Sequence, residues 1–277
     1  MTFDVASVKK NDSGSRSISS NVPLSGDLGA PTGGLYSGTN LPLSNYILFA
    51  YNLTGNQFKL MLPQLPKWAT TARYDIQARA EGNPTNAQMR LMMQSLLGDR
   101  FKLTVHNETQ QLPVFATVLS KPGKTGPQLQ PHSDDAPCST ASPPPATPGS
   151  QPMPQPTIAG GFPAVCGRIL QLQASAPGRV HIGGRDVPVG MLVNLFTFAN
   201  LDRPVVDETG LTGEYDVSLE FTPQPNGPLP PGSTSQPDPD GPTILEALGD
   251  QLGLKLESQV GAVDVFVIDH VEEPSPN

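Results

Sequence analysis

The stretch Leu35-Tyr36-Ser37-Gly38-Thr39-Asn40-Leu41-Pro42-Leu43 returns late in the chain as Val180-His181-Ile182-Gly183-Gly184-Arg185-Asp186-Val187-Pro188-Val189, with one inserted residue. Both copies read as an extended segment closed by a proline and followed by an apolar run. After the first, LSNYILFAY (Leu43–Tyr51) sets Leu43, Tyr46, Ile47, Ala50 and Tyr51 at helical spacing, with Ser44 as an available N-cap. After the second, VGMLVNLFTFA (Val189–Ala199) does the same with Met191, Leu192, Leu195, Phe196 and Phe198. More landmarks follow in the same order. Tyr74-Asp75-Ile76, inside the alternating stretch Ala72–Ala80, matches Tyr215-Asp216-Val217, inside the alternating stretch Tyr215–Phe221. A helix ending in Leu-Gly follows each, one with a face of Met89, Met92, Met93, Leu96 and Leu97, the other with Ile244, Leu245, Leu248 and Leu252. Phe101-Lys102-Leu103 then matches Leu254-Lys255-Leu256, and Val114-Phe115 matches Val265-Phe266.

The fold this implies is α+β: two related small units, each helix-strand-helix-strand-strand with mixed or antiparallel sheets, joined by proline-rich loops. An internal duplication accounts for the shared order. Proline marks the boundaries, with nine between residues 137 and 163 and eight between 223 and 242, too dense for interior helix or central strand. The expected units are 1–125, with a leading strand Phe3–Val8 that belongs to neither repeat, and 178–277, with a proline-rich insertion at 222–242. Residues 126–177 are expected to be a linker. The strands around Phe101–Val105 and Val114–Leu119 are expected to pair as a hairpin.

Composition limits the partners. Hydrophobic residues make up 36% of 277 and charged residues 15%, the balance of a folded core with long polar loops. The net charge of −8 comes without any Lys/Arg cluster, which argues against nucleic acid and anionic membrane surfaces. No apolar run is long enough to insert in a membrane. Cys138 and Cys166 lie in the proline-rich middle without a CxxC pair or a histidine cluster, so the spacing does not suggest zinc. A disulfide pinning a long loop and two unrelated thiols both fit.

The segments FDVASVK (Phe3–Lys9), RYDIQA to GDRFKL (Arg73–Leu103) with His106 and Glu108, RPVVDETGLTGEYD (Arg203–Asp216), and LGLKLE to VDVFVIDHVEEPS (Leu252–Ser275) resemble a large family of uncharacterised soil-bacterial proteins abundant in acidobacteria. The resemblance covers both blocks and skips the proline-rich loops. It implies an exported protein, periplasmic or extracellular, made with a leader that is absent here. It supplies no functional residues. More weakly, ILEALGDQLGLKLE followed by VDVFVI looks like the short βαβ domain at the N-terminus of secretins and TonB-dependent receptors, which are envelope interaction modules.

No Gly-x-Ser-x-Gly elbow, His-Glu-x-x-His, Walker loop or dinucleotide fingerprint is present. Asp207-Glu208-Thr209-Gly210 reads as a turn in which Gly210 and Gly213 supply positive φ. Three candidates for chemistry remain. His106 and Glu108, two apart on a strand, share a face and form a candidate catalytic pair, against the ordinary reading of two solvent-facing residues. Asp238 and Asp240, in a Pro/Gly loop, offer oxygen ligands of the kind Ca²⁺ takes, against the ordinary reading of a polar loop with Asp240 as helix N-cap. Trp68, after Leu65-Pro66-Lys67, is the aromatic that a loop could turn toward a ligand, against the ordinary reading of core or loop-anchoring packing.

The expectation is therefore an exported binding or interaction module whose partner is a small molecule or an envelope protein, with no cofactor. The alternatives are a hydrolase of an ester or lactone assisted by Ca²⁺, and a structural protein of envelope assembly.

Overall fold

A computed structural model describes residues 1–15, 17–24, 32–133, 138, 161–192, 201–224 and 237–274. Its contacts gather the chain into two units, 1–111 with 262–277, and 112–261.

The first unit contains β1 (Val5–Lys10), β2 (Ser19–Ser20), β3 (Leu35–Leu41), α1 (Leu43–Tyr51), α2 (Gly55–Met61), α3 (Lys67–Thr71), β4 (Tyr74–Arg79) and α4 (Asn86–Phe101). The sheet order is β1-β4-β3-β2, all antiparallel. Alternation in β4 turns Tyr74, Ile76 and Ala78 into the core and leaves Gln77 and Arg79 outside. The face expected of α4 is the buried one, with Phe101 added. Thr85 starts this helix with a capping box to Gln88, and Lys102 ends it in the left-handed region. On α1, Phe49 joins the expected face, and Pro42 rather than Ser44 occupies the N-cap. Trp68 lies in α3 and stacks on Phe101 at 6.5 Å, so it packs against the core rather than lining a ligand surface.

The second unit contains β6 (Leu129–Pro131), β7 (Arg168–Leu172), β8 (Val180–Pro188), α5 (Val189–Leu192), β9 (Val205–Asp207), β10 (Glu214–Phe221) and α6 (Ile244–Ala247), which continues as a π turn over Leu248–Leu252. The helix expected to run to Ala199 is described only as far as Leu192. Thr243, not Asp240, is the N-cap of α6, and forms a capping box with Glu246. The sheet order is β6-β10-β8-β7, again antiparallel. A core of Val187, Val217, Leu219, Phe221, Leu248 and Leu252 lies on the helix side.

The two sheets share one topology. In chain order each has its first strand beside its fourth, then its third, then its second. They also share one irregularity. In the first, Gly38 faces Ile76 and Leu41 faces Tyr74; in the second, Gly184 faces Val217 and Val187 faces Tyr215. Each bulge holds a non-glycine residue at positive φ, Asn40 at 60° and Asp186 at 51°. Gly38 and Gly184 are required by close approach: a Cβ would sit 2.8 Å from the Tyr46 ring and 2.7 Å from the Arg168 carbonyl, respectively.

This register makes Leu35–Leu43 equivalent to His181–Val189 without the inserted residue. It also changes two expectations. The strand β1 is not outside the matched elements, because β6 takes the same place in the second sheet. Residues 126–177 are therefore not all linker: β6 and β7 are strands of the second sheet.

The expected hairpin is one continuous strand, β5 (Thr104–Leu119), and the C-terminal strand is the similarly long β11 (Leu254–His270). Together with β9 they form a sheet of order β11-β5-β9, with β5 and β9 parallel. Residues 106–111 (HNETQQ) are exposed strand, not a turn; they contain no glycine or proline to reverse the chain. The two halves of each long strand fall in different units, which is why the boundaries differ from 125 and 178 and why the C-terminal tail groups with the first unit.

Candidate functional site

Two sheets of one strand order allow residues with the same duty in both to be separated from residues found in one alone. The first kind is the aspartate of the repeated Tyr-Asp motif. Asp75 Oδ1 accepts the backbone N–H of Asn40 at 2.8 Å, and Asp216 Oδ1 accepts that of Asp186 at 3.1 Å. The same carboxylates take a side chain from the residue after the first strand: Asn11 Nδ2 at 2.8 Å and His132 Nδ1 at 2.6 Å. Both aspartates thus hold a left-handed bulge in place, and Asp216 also accepts from Arg185 Nε at 3.2 Å. An ionised carboxylate receiving several N–H groups is a strong anchor.

The second kind lies on the outer face of the second sheet. His181 of β8 places Nε2 2.8 Å from Ser218 Oγ of β10 and Nδ1 2.8 Å from the Gln173 carbonyl. A carbonyl oxygen only accepts, so Nδ1 carries the hydrogen; in the neutral ring Nε2 then accepts from the Ser218 hydroxyl. One pair further along, Glu220 accepts the Ser175 N–H at 2.7 Å, the Ser175 hydroxyl, and Arg179 Nη1 at 3.3 Å. Arg179 Nε donates to Asp238 at 2.8 Å. Burial pushes the Glu220 carboxyl up, but the bonds from Ser175 and Arg179 and the nearby His181 outweigh it, and the group lies below its ordinary range. At the equivalent positions the first sheet has Leu35, Gln77 and Arg79 in place of His181, Ser218 and Glu220. The fold does not require this network.

The network borders a cavity of about 430 Å³, lined by the chain from Gln171 to Arg179 and by His181. Phe162 and Pro163 lie over the same face: Phe162 is buried, and a Cβ on Gly183 would meet Leu172 and Pro163. This segment ends at Cys166, which is disulfide-bonded to Cys138.

The residues nominated from sequence fall elsewhere. His106 and Glu108 do share a face of β5, with His106 Nε2 3.8 Å from Glu108 Oε2. The closer partner is one the sequence did not offer, Asp269 of β11, whose carboxylate oxygens lie 2.9 and 3.0 Å from His106 Nδ1. That hydrogen bond raises the His106 pKa. The cluster is open to solvent, with His106 about half exposed. Asp238 meets a guanidinium rather than further oxygen donors. Its other oxygen accepts the Asp240 N–H at 3.0 Å, and both contacts, Arg179 first, hold its carboxyl below the usual range. Asp240 is exposed and brings no second carboxylate to that ion pair. Gly210 and Gly213 do take positive φ, at 68° and 89°. Among the described residues, one group of potential metal donors gathers: His132, Cys138 and Asp186, with donor atoms within 4.8 Å of one another. No helix among the described residues is long and apolar enough to cross a membrane.

Residues 44–271 match a family described as a protein of unknown function, DUF3738, and the chain belongs to it. No curated protein and no solved structure matches the chain.

Proposed function

We propose that this member of a family without an assigned activity is an exported binding module, and that its second unit takes a small, hydroxyl-rich ligand, neutral or cationic, in the cavity beside Arg179 and His181. The observation that carries the reading is the His181–Ser218–Glu220–Arg179 network, which has no counterpart on the equivalent face of the first sheet. Its chemistry sets the ligand class. Arg179, Glu220 and Asp238 sum to one negative charge, so an anion would meet two carboxylates held ionised. Gln171, Gln173 and Ser175 offer amide and hydroxyl groups suited to hydroxyls. The disulfide supports export, since such bonds persist in oxidising compartments. The shared strand order and the shared bulge support an internal duplication in which the first sheet kept the scaffold and the second gained a site.

A panel of neutral mono- and disaccharides, amino sugars and uronic acids, followed by amide chemical shifts, tests this. Neutral or amino sugars are expected to move resonances of residues 171–181, uronic acids are not, and Glu220→Gln is expected to weaken the effect at least tenfold. A panel that leaves these resonances still, or shifts that persist in Glu220→Gln, would sink the reading.

One observation favours hydrolysis as a second reading: Ser218 donates to an imidazole held by a carbonyl, the arrangement of nucleophile and base. Ser218 is only 5% exposed, which places binding first. Labelling by a fluorophosphonate that is lost in Ser218→Ala would reverse the order.

A further inference from the structure

We propose that the second unit carries a redox-gated site for a borderline divalent cation of the zinc class, with His132, Cys138 and Asp186 as ligands and Cys166 as the fourth donor. In the oxidised chain a ring nitrogen of His132, the sulfur of Cys138 and a carboxylate oxygen of Asp186 already lie within 4.8 Å of one another. Such a separation lets three donors reach one ion at the usual zinc–ligand distances with little movement. Cys166 lies outside that cluster, but its sulfur is bonded to that of Cys138, so reduction frees a second thiol beside the three donors. One nitrogen, one oxygen and two sulfurs are a donor set that zinc accepts and that calcium and magnesium do not.

The surroundings suit a ligating histidine. His132 Nδ1 is bound to Asp216 at 2.6 Å, which leaves Nε2 as the free ring nitrogen, and Asp216 is fixed by Arg185. A carboxylate on the far nitrogen of a ligating histidine fixes its tautomer and orientation. His132 and Asp216 are each close to nine-tenths buried, so the ring is pre-positioned. The internal repeat supplies an independent argument. The first unit performs the same backbone duties with Asn11 and Asn40, two neutral amides. The scaffold asks only for a side-chain donor at the first position and a residue tolerant of the left-handed region at the second. A histidine, an aspartate and two cysteines together exceed that requirement.

In the oxidised state both sulfurs are spent in the disulfide, which is a poor ligand. Reduction opens the site. With a phosphine, the S–S bond breaks, the phosphine and a water become phosphine oxide, and the two water protons go to the two sulfurs; a dithiol would instead give up two hydrogens and become a disulfide. Metal binding then expels the thiol protons as thiolates coordinate.

Co²⁺ is the probe. The phosphine-reduced chain is expected to bind one equivalent with thiolate charge-transfer and tetrahedral ligand-field bands, which Zn²⁺ bleaches. The oxidised chain is expected to show neither. His132→Asn, which installs the residue of the first unit and keeps its hydrogen bond to the aspartate, and Cys138→Ser are each expected to lose the bands. Zn²⁺ is expected to raise the thermal midpoint of the reduced wild type and leave that of reduced His132→Asn in place. An equal cobalt response in oxidised and reduced protein, bands that survive in His132→Asn, or a reduced chain that loses its far-UV signal and does not regain it with Zn²⁺ would each overturn the proposal.

Discussion

Asp75 and Asp216 carry a structural duty that their exposure alone would not suggest. Each accepts the N–H of a residue held at positive φ, and that donor has no ladder partner at the bulge. Replacing Asp75 by Ala leaves the Asn40 N–H without an acceptor and strands the Asn11 amide, which together cost about 1–3 kcal/mol. Urea denaturation of Asp75→Ala should show this, with a smaller loss in Asp75→Asn, which keeps an acceptor oxygen. At His106 the expected effect is on titration. Asp269 raises its pKa in the folded chain, so the pair stabilises the fold below the unfolded histidine value, and this contribution fades as the pH rises through the higher folded value. Asp269→Asn should bring the His106 pKa down toward the ordinary histidine range in an NMR titration. An unchanged titration would mean that the strands β5 and β11 do not hold these side chains together. Neither partner was legible in sequence as a partner. His106 and Asp269 are 163 residues apart, and His181 and Ser218 are 37 apart. Local spacing reports only which face a side chain takes, and cross-strand register decides what it meets.

At the scale of elements, the periodic segments were the legible ones. β4, α1 and α4 bury the faces that their apolar spacing predicts, because half-buried elements must segregate polar from apolar residues. β6 was not legible, since three residues ending in proline carry no period. The join within β5 was hidden for a different reason. Its middle is solvated and polar, so alternation fades where the strand does not. Helix ends supply a sharper test of the shared scaffold. The helix α4 closes on Lys102 at φ 51°, while the π turn after α6 closes on Gly253 at φ 70°. A non-glycine residue in this region costs about 1 kcal/mol. Lys102→Gly should therefore raise stability by up to about 1 kcal/mol in urea. Gly253→Ala should lower it by more than that, because its Cβ would also lie 2.6 Å from the Gly126 nitrogen. If both substitutions shift stability in the same direction, the two caps are not equivalent.

For the whole molecule, the disulfide separates what the two units have in common from what they do not. The shared sheets need no cross-link, since the first unit has none among its described residues and buries a core of Tyr36, Tyr46, Phe49, Tyr74 and Phe101. The second unit adds a covering segment on its outer face, and the bond from Cys166 to Cys138 ties that segment down across 28 residues. Closing a loop of that length removes conformational freedom from the unfolded chain worth about 3–4 kcal/mol in the chain-entropy account. Cys138→Ser with Cys166→Ser should therefore lower the stability of the second unit by about that amount, and of the first unit by much less. Hydrogen exchange resolved by residue can read the two separately, because local opening reports the stability of its own unit. Protection should fall at β7, β8 and β10 and hold at β3, β4 and α4. The cavity is lined by residues 171–179 and His181, which follow the covering segment in the chain, so sugar-induced shifts at Ser175 and Arg179 should weaken in the same double variant. Protection that falls equally in both units would mean that the long strands β5 and β11 make the chain one cooperative body. A disulfide lost without effect on residues 171–181 would mean that the covering segment plays no part in forming the site.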